Sequence, residues 1–188
     1  HGGRRMTDEE IAGTAFLLLT AGNETTTNLI ANMTMVIGAD PDLRRTLIDD
    51  PSLIPAAVEE VLRLESPVQG LARTAAEDVV FGDATIEEGQ QVLLLFAAAN
   101  RDEREFTDAD TLLLDRQSDR ALAFGHGIHY CLGAILARLE ARVAFEEFLR
   151  HVPDFEVSEG ARRVPSALVR GFEYLPIEYE AIATQGAL

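Results

Sequence analysis

Phe124-Gly125-His126-Gly127-Ile128-His129-Tyr130-Cys131-Leu132-Gly133 is the stretch on which the reading of this chain turns. Its glycines let the backbone turn sharply and approach a flat partner closely. An apolar-periodic run follows from about Cys131 to Arg150 and predicts an amphipathic helix. Cys131 therefore stands where a helix begins, and there the dipole and the unpaired N–H groups favour a thiolate. A lone cysteine more often behaves as a small buried hydrophobe. The glycine loop, the flanking aromatic residues and the helix start point instead to a sulfur that ligates.

Upstream of the loop, residues 100 to 120 are polar, rich in Asp and Arg, and carry no periodicity. A coil of that length inside a compact domain usually has a task. Before it, Leu71–Thr74, Val79–Phe81, Ala84–Ile86 and Gln91–Phe96 predict short strands, with turns at Gly82-Asp83 and Glu88-Gly89. The first third is helical. Thr7 with Glu10 three residues on forms a capping box, and one long helix runs from there to Gly38. Its middle, Ala15 to Ile30, is apolar on most faces, which predicts a helix through a core. Asp40-Pro41 and Asp50-Pro51 divide off a helix to Ile48, and another covers about Pro55 to Leu64. In the tail, Ala167-Leu168-Val169 and Pro176-Ile177 are strand-like.

The 188 residues carry a formal charge of −16, with 47% hydrophobic and 26% charged residues. That composition is globular, and the charge argues against nucleic acid or an anionic membrane as partner. A single cysteine excludes an intramolecular disulfide. Arg4-Arg5 followed by Ala15-Phe16-Leu17-Leu18-Leu19 imitates an export signal, but Asp8, Glu9 and Glu10 stand between the two features. No apolar run approaches bilayer length. The expected location is cytoplasmic.

Position for position, the cysteine loop resembles the haem-binding signature of the cytochrome P-450 family: Phe, two residues, Gly, three residues, Cys, one residue, Gly. Ala134 to Glu140 continues the likeness to bacterial members, with Ile135 where Pro is common. The resemblance implies a mainly α fold with small β-sheets, made of a long central helix, a Glu-x-x-Arg helix, short strands, a meandering coil, and the cysteine loop and helix. It implies haem b (iron protoporphyrin IX) as cofactor and Cys131 as its axial thiolate, which would favour cleavage of bound dioxygen. By resemblance Phe124 packs beside the sulfur, Gly125 and Gly133 shape the loop, and His129 and Arg73 contact haem propionates.

Two further motifs occur in the family's order. Glu60-Val61-Leu62-Arg63 places an acid and an arginine on one helix face. In the family such a pair is completed by an arginine of the coil, here Arg116, although Ala109 replaces a usual Pro and Leu112-Leu113 a usual Phe-Asp. On the long helix, Ala21-Gly22-Asn23-Glu24-Thr25-Thr26 resembles the family's Ala-Gly-x-acid-Thr. Small Ala21 and Gly22 would let the helix lie against a haem face. The Thr25 hydroxyl would bond the carbonyl one turn back, opening a distortion that holds water. With Glu24 it would deliver protons. Val68, Gly70 and Leu71, with Leu168 and Val169, match segments that line the substrate pocket, and their small apolar side chains suit a lipophilic ligand.

The resemblance covers essentially the whole chain but only the C-terminal half of the fold, so residues 1–188 are expected to form one partial domain without the N-terminal helices. The expected activity is insertion of one oxygen atom from dioxygen into a small lipophilic substrate, with electrons from a separate ferredoxin or flavoprotein. The alternative is a truncated, non-catalytic fragment that binds haem or another protein.

Overall fold

The computed structural model of the chain describes residues 3–116 and 118–179. Helix α1 runs unbroken over Asp8–Ala39. The Thr7 hydroxyl accepts from the Glu10 N–H at 3.2 Å, and the Glu10 carboxylate accepts from the Thr7 N–H at 2.8 Å, closing the capping box. Asp40 ends α1 and starts α2 (Pro41–Asp49), its carboxylate taking the N–H groups of Asp42 and Leu43. A short 3-10 turn at Pro51–Leu53 leads into α3 (Ile54–Leu64).

Leu29, Met33 and Ile37 of α1 meet Ala57, Val58 and Val61 of α3 and Ala141, Phe145 and Leu149 of α5 (Ala134–His151). Spaced three and four residues apart, these side chains form one stripe on each helix. Burying each large one contributes about 1.5–3 kcal/mol. The core therefore sits on the C-terminal half of α1. The sequence-based expectation that Ala15 to Ile30 runs through a core is corrected here: Phe16, Leu17, Leu18 and Leu19 are 57–71% exposed, because none of the described elements packs over that part of the helix.

Among the described residues the β structure is four two-stranded antiparallel sheets. β1 (Leu71–Thr74) pairs with β4 (Gln91–Leu94), and β2 (Val79–Phe81) with β3 (Ala84–Ile86) around Gly82. β5 (Phe155–Val157) pairs with β8 (Ile177–Tyr179), and β6 (Arg162–Arg163) with β7 (Phe172–Tyr174). Three boundaries differ from the sequence reading. The strand expected to Phe96 stops at Leu94, and a one-turn helix, α4 (Phe96–Ala99), takes over. Residues 167–169 form no strand but one isolated bridge, Val68 to Val169. Helix α5 begins at Ala134, three residues beyond Cys131, since Gly127–His129 form a 3-10 turn that holds the cysteine ahead of the helix.

Candidate active site

Helix α3 supplies the centre of the polar framework. Glu60 and Arg63 are 1% and 0% exposed, where an unpaired charge would be costly. The Arg63 Nε and Nη2 donate to Glu60 at 2.8 and 2.9 Å. Its remaining donors reach the carbonyls of Asn100, Ala109 and Thr111, so the whole guanidinium fork is satisfied. Phe106 lies against it, 5.2 Å from ring centre to guanidinium carbon.

Glu60 also accepts from the Leu113 N–H at 3.0 Å, the Ser118 hydroxyl at 2.8 Å and the Arg116 Nε at 3.1 Å. Burial pushes the Glu60 carboxyl up, but the Arg63 hydrogen bond, the Leu113 N–H, the Ser118 hydroxyl and the Arg63 charge outweigh it and hold the group at about 2. Arg116 donates onward to the carbonyls of Thr107, Asp108 and Thr111. Asp108 has a φ of 50°, a left-handed conformation that Asp tolerates better than most residues. Most of these bonds end on main-chain groups. Ala109 and Leu113 therefore serve although neither is the residue common in the family: a carbonyl or an N–H is present whatever the side chain.

From this framework Asn100, fully buried, continues to the cysteine loop. Its Nδ2 donates to the Ser66 hydroxyl, and its Oδ1 accepts from the Leu122 N–H. The Gly125 N–H then donates to the Leu122 carbonyl, and the Cys131 N–H to the Phe124 carbonyl, both at 2.9 Å. Gly125 and Gly127 hold φ values of 71° and 68°, which a side chain would strain. Cys131 is exposed. Gly133 is close enough that a Cβ there would lie 3.9 Å from the sulfur.

Apolar residues near Cys131 in the chain are exposed. Ile128 is 97% exposed, Leu132 91% and Ile135 84%. Exposed apolar side chains close in the chain to one soft donor fit a flat, largely apolar metal macrocycle, because such a ligand takes one sulfur and a hydrophobic bed. Arg73, on β1, is half-buried, and His129 is exposed. Both could hold carboxylates at such a ligand's edge.

The remaining predicted residues lie on α1 and at the β1 entrance. The Thr25 hydroxyl donates to the Ala21 carbonyl at 2.7 Å. The helix nevertheless stays regular, so the expected local opening is corrected: the carbonyl serves the hydroxyl without releasing the helical ladder. Ala21, Gly22 and Glu24 are exposed, and Thr25 is half-buried. Val68 and Val169 are brought together by their bridge, reinforced by the Gln69 N–H donating to the Leu168 carbonyl. Gly70 presses on the Leu94 carbonyl, where a Cβ would come within 2.6 Å. Leu71 and Leu168 are 45% and 40% exposed. Arg170 grips Glu65 with two donors and fixes this pair of segments to the end of α3.

The family model for cytochrome P450 matches residues 1–169. The chain belongs to the cytochrome P450 family. Cytochrome P450 107B1 of Saccharopolyspora erythraea is 46% identical over 179 residues, covering 93% of this chain and 44% of that protein. The vitamin D(3) 25-hydroxylase of Pseudonocardia autotrophica is 45% identical, with 93% and 44% covered. Among solved structures, P450BioI bound to an acyl carrier protein ligated with hexadec-9Z-enoic acid superposes with a TM-score of 0.90 at 44% identity, covering 95% of this chain and 47% of that one. The chain thus spans about half the length of the relatives it matches. Members of the P450 family bind haem b through a cysteine thiolate, in keeping with the donor Cys131 and the exposed apolar side chains near it in the chain.

Sequence reasoning missed several residues of the P450 framework, among them Glu59, Ser66, Asn100 and Ser118. The acid doublet Glu59-Glu60 was the available signal, since two adjacent carboxylates on a helix point to different partners. For Asn100 the signal was a lone amide closing the apolar turn Phe96 to Ala99. Arg138 of α5 is committed to Glu59, donating to its two oxygens at 2.5 and 3.0 Å.

Proposed function

We propose that this chain carries the haem-thiolate half of a P450 monooxygenase. One atom of dioxygen would enter a small lipophilic substrate and the other would leave as water, with two electrons and two protons consumed. The observation that carries the reading is the exposed Cys131 thiol in its glycine loop, with exposed Ile128, Leu132 and Ile135 close to it in the chain. When bound, haem b supplies the iron at which dioxygen is activated. Cys131 would hold it, with Phe124 beside the sulfur, His129 and Arg73 on the propionates, and Ala21 and Gly22 against the ring.

The chain's own contribution on the oxygen side is proton handling. Glu24 is exposed to water, while Thr25 presents a hydroxyl already anchored at 2.7 Å on the Ala21 carbonyl. An anchored hydroxyl keeps a fixed direction, which suits a relay. The apolar Val68, Leu71, Leu168 and Val169 support a lipophilic substrate, as do the vitamin D(3) hydroxylation of the Pseudonocardia relative and the acyl group of the BioI complex. Electrons would come from a separate ferredoxin or flavoprotein.

A second reading is favoured by the exposed apolar stretch Phe16–Leu19 of α1: a fragment that holds haem or another protein without turnover. The deciding experiment is the difference spectrum of the dithionite-reduced, carbon-monoxide-bound chain expressed with haem, beside Cys131→Ser. A strongly red-shifted Soret band lost in the variant supports thiolate ligation. The same band in both proteins, or no haem uptake, overturns it for this chain. Substrate-dependent consumption of a reduced nicotinamide cofactor, with reductase present, then separates monooxygenase from inert fragment.

A further inference from the structure

The cysteine loop meets the core at Phe124, its first residue. Between α3, the coil and the loop lies a cavity of about 390 Å³, lined by Ala56, Glu59, Arg116, Phe124, Tyr130 and Arg138 among others. One side chain bridges it. Arg138, on the second turn of α5, places its guanidinium carbon 4.4 Å from the centre of the Phe124 ring. Its Nη1 donates to the Tyr130 hydroxyl at 3.2 Å. Its Nε and Nη2 are held by both oxygens of Glu59, a fork-on-fork pairing that fixes orientation as well as charge.

From this geometry we infer that Glu59 and Arg138 form a clamp that positions the Cys131 sulfur from behind, acting through Phe124 and Tyr130. The placement rests on the reading of Cys131 as a thiolate ligand. The loop turns through Gly125 and Gly127, both at positive φ, and glycines, having no Cβ, give it little stiffness of their own. Phe124 precedes the first of these glycines and Tyr130 follows the second, so Arg138 touches the loop at both ends of its flexible part. The two acids of α3 divide the work. Glu60 holds the coil that enters the loop, and Glu59, through Arg138, holds the loop and the helix that leaves it. A cation over an aromatic face is attracted by the ring quadrupole, and the guanidinium's flatness is what lets one group stack and hydrogen-bond at once. The Arg138 proton is bound more firmly than usual, first by the Glu59 hydrogen bond, so the charge persists. Arg138 is in these terms a positioning residue.

Two readouts test the clamp. The first is amide hydrogen exchange on the chain as it stands, in the wild type, Arg138→Ala and Glu59→Gln. The expected result is at least tenfold faster exchange at Gly125, Tyr130 and Cys131 in Arg138→Ala and a smaller increase in Glu59→Gln, with amides of residues 145–149 unchanged. Equal exchange in the loop, or an equal increase throughout α5, overturns the proposal. The second is the reduced, carbon-monoxide-bound spectrum of haem-loaded protein. Arg138→Ala should shift several-fold more of the band to the neutral-ligand position, while Arg138→Lys, which keeps the cation but loses the flat fork, recovers only a minor part of the red-shifted band. Wild-type spectra in both variants overturn it. A wild-type chain without the red-shifted band would sink the ligand reading instead, and the exchange data still judge the clamp.

Discussion

Arg63 donates two hydrogen bonds, of 2.8 and 2.9 Å, to Glu60, three residues earlier on α3, and both residues are fully buried. Each also reaches the coil that follows Asn100, so the pair determines the path of a segment that has no regular structure among its described residues. Removing one partner leaves the other charge buried and the coil carbonyls unpaired. Arg63→Ala is expected to lose roughly 3–5 kcal/mol of stability. Arg63→Lys should recover little, because an ammonium cannot span five donors in one plane. Urea unfolding followed by far-UV circular dichroism measures both. A loss below about 1 kcal/mol in Arg63→Ala, the size of an exposed pair, would contradict the network.

The same carboxylate gives a pH dependence. In the folded chain Glu60 titrates at about 2, against an ordinary 4.5. Above 4.5 its contribution is complete. As pH falls from 4.5 toward 2, the unfolded chain takes up the proton first and stability drains away. Each tenfold difference in proton affinity between the two states is worth about 1.4 kcal/mol, so the loss over that window is roughly 3 kcal/mol. Urea midpoints between pH 5.5 and pH 2.5 should fall less steeply in Glu60→Gln than in the wild type, from a lower start. Parallel slopes would show that other carboxylates account for the acid sensitivity.

Gly171 touches α1 through Asn28. A Cβ at position 171 would lie 1.9 Å from the Asn28 Oδ1, and Asn28 is 4% exposed with little room to swing aside. Gly171→Ala should therefore destabilise by about 1–3 kcal/mol through overpacking. Because the Asn28 Nδ2 is buried with no partner among the described residues, Asn28→Ala removes the two nearest atoms without losing a donated bond, although the Asn28 Cβ stays 2.9 Å away. The double variant should recover part of the loss, read as a non-additive shift in thermal midpoint. Strict additivity would place the strain elsewhere.

Phe16 and Leu19 are 70% and 71% exposed. Phe16→Glu with Leu19→Glu is expected to change folding stability by less than about 0.5 kcal/mol while lowering binding of an apolar dye and self-association at high concentration. Sedimentation and dye fluorescence give the measurement. A variant that unfolds would mean these side chains are buried in solution.

Elements with local causes were legible in the chain's letters. The Thr7–Glu10 box sets the start of α1, Asp40-Pro41 its end, and the turn at Gly82 the β2–β3 hairpin, because caps and turns are decided within four residues. The cysteine loop was legible too, since glycine spacing around Cys131 is itself the geometry. Which half of α1 lies in the core was not. Phe16 and Leu29 are equally apolar letters, and packing against α3 and α5 is what separates them. Nor could any window of sequence show that Val169 meets Val68 as a single bridge, a pairing across about a hundred residues. The partner of Arg138 was settled in the same way. Side-chain charge shows that it needs an acid, but which acid depends on two helices meeting at the angle their cores allow.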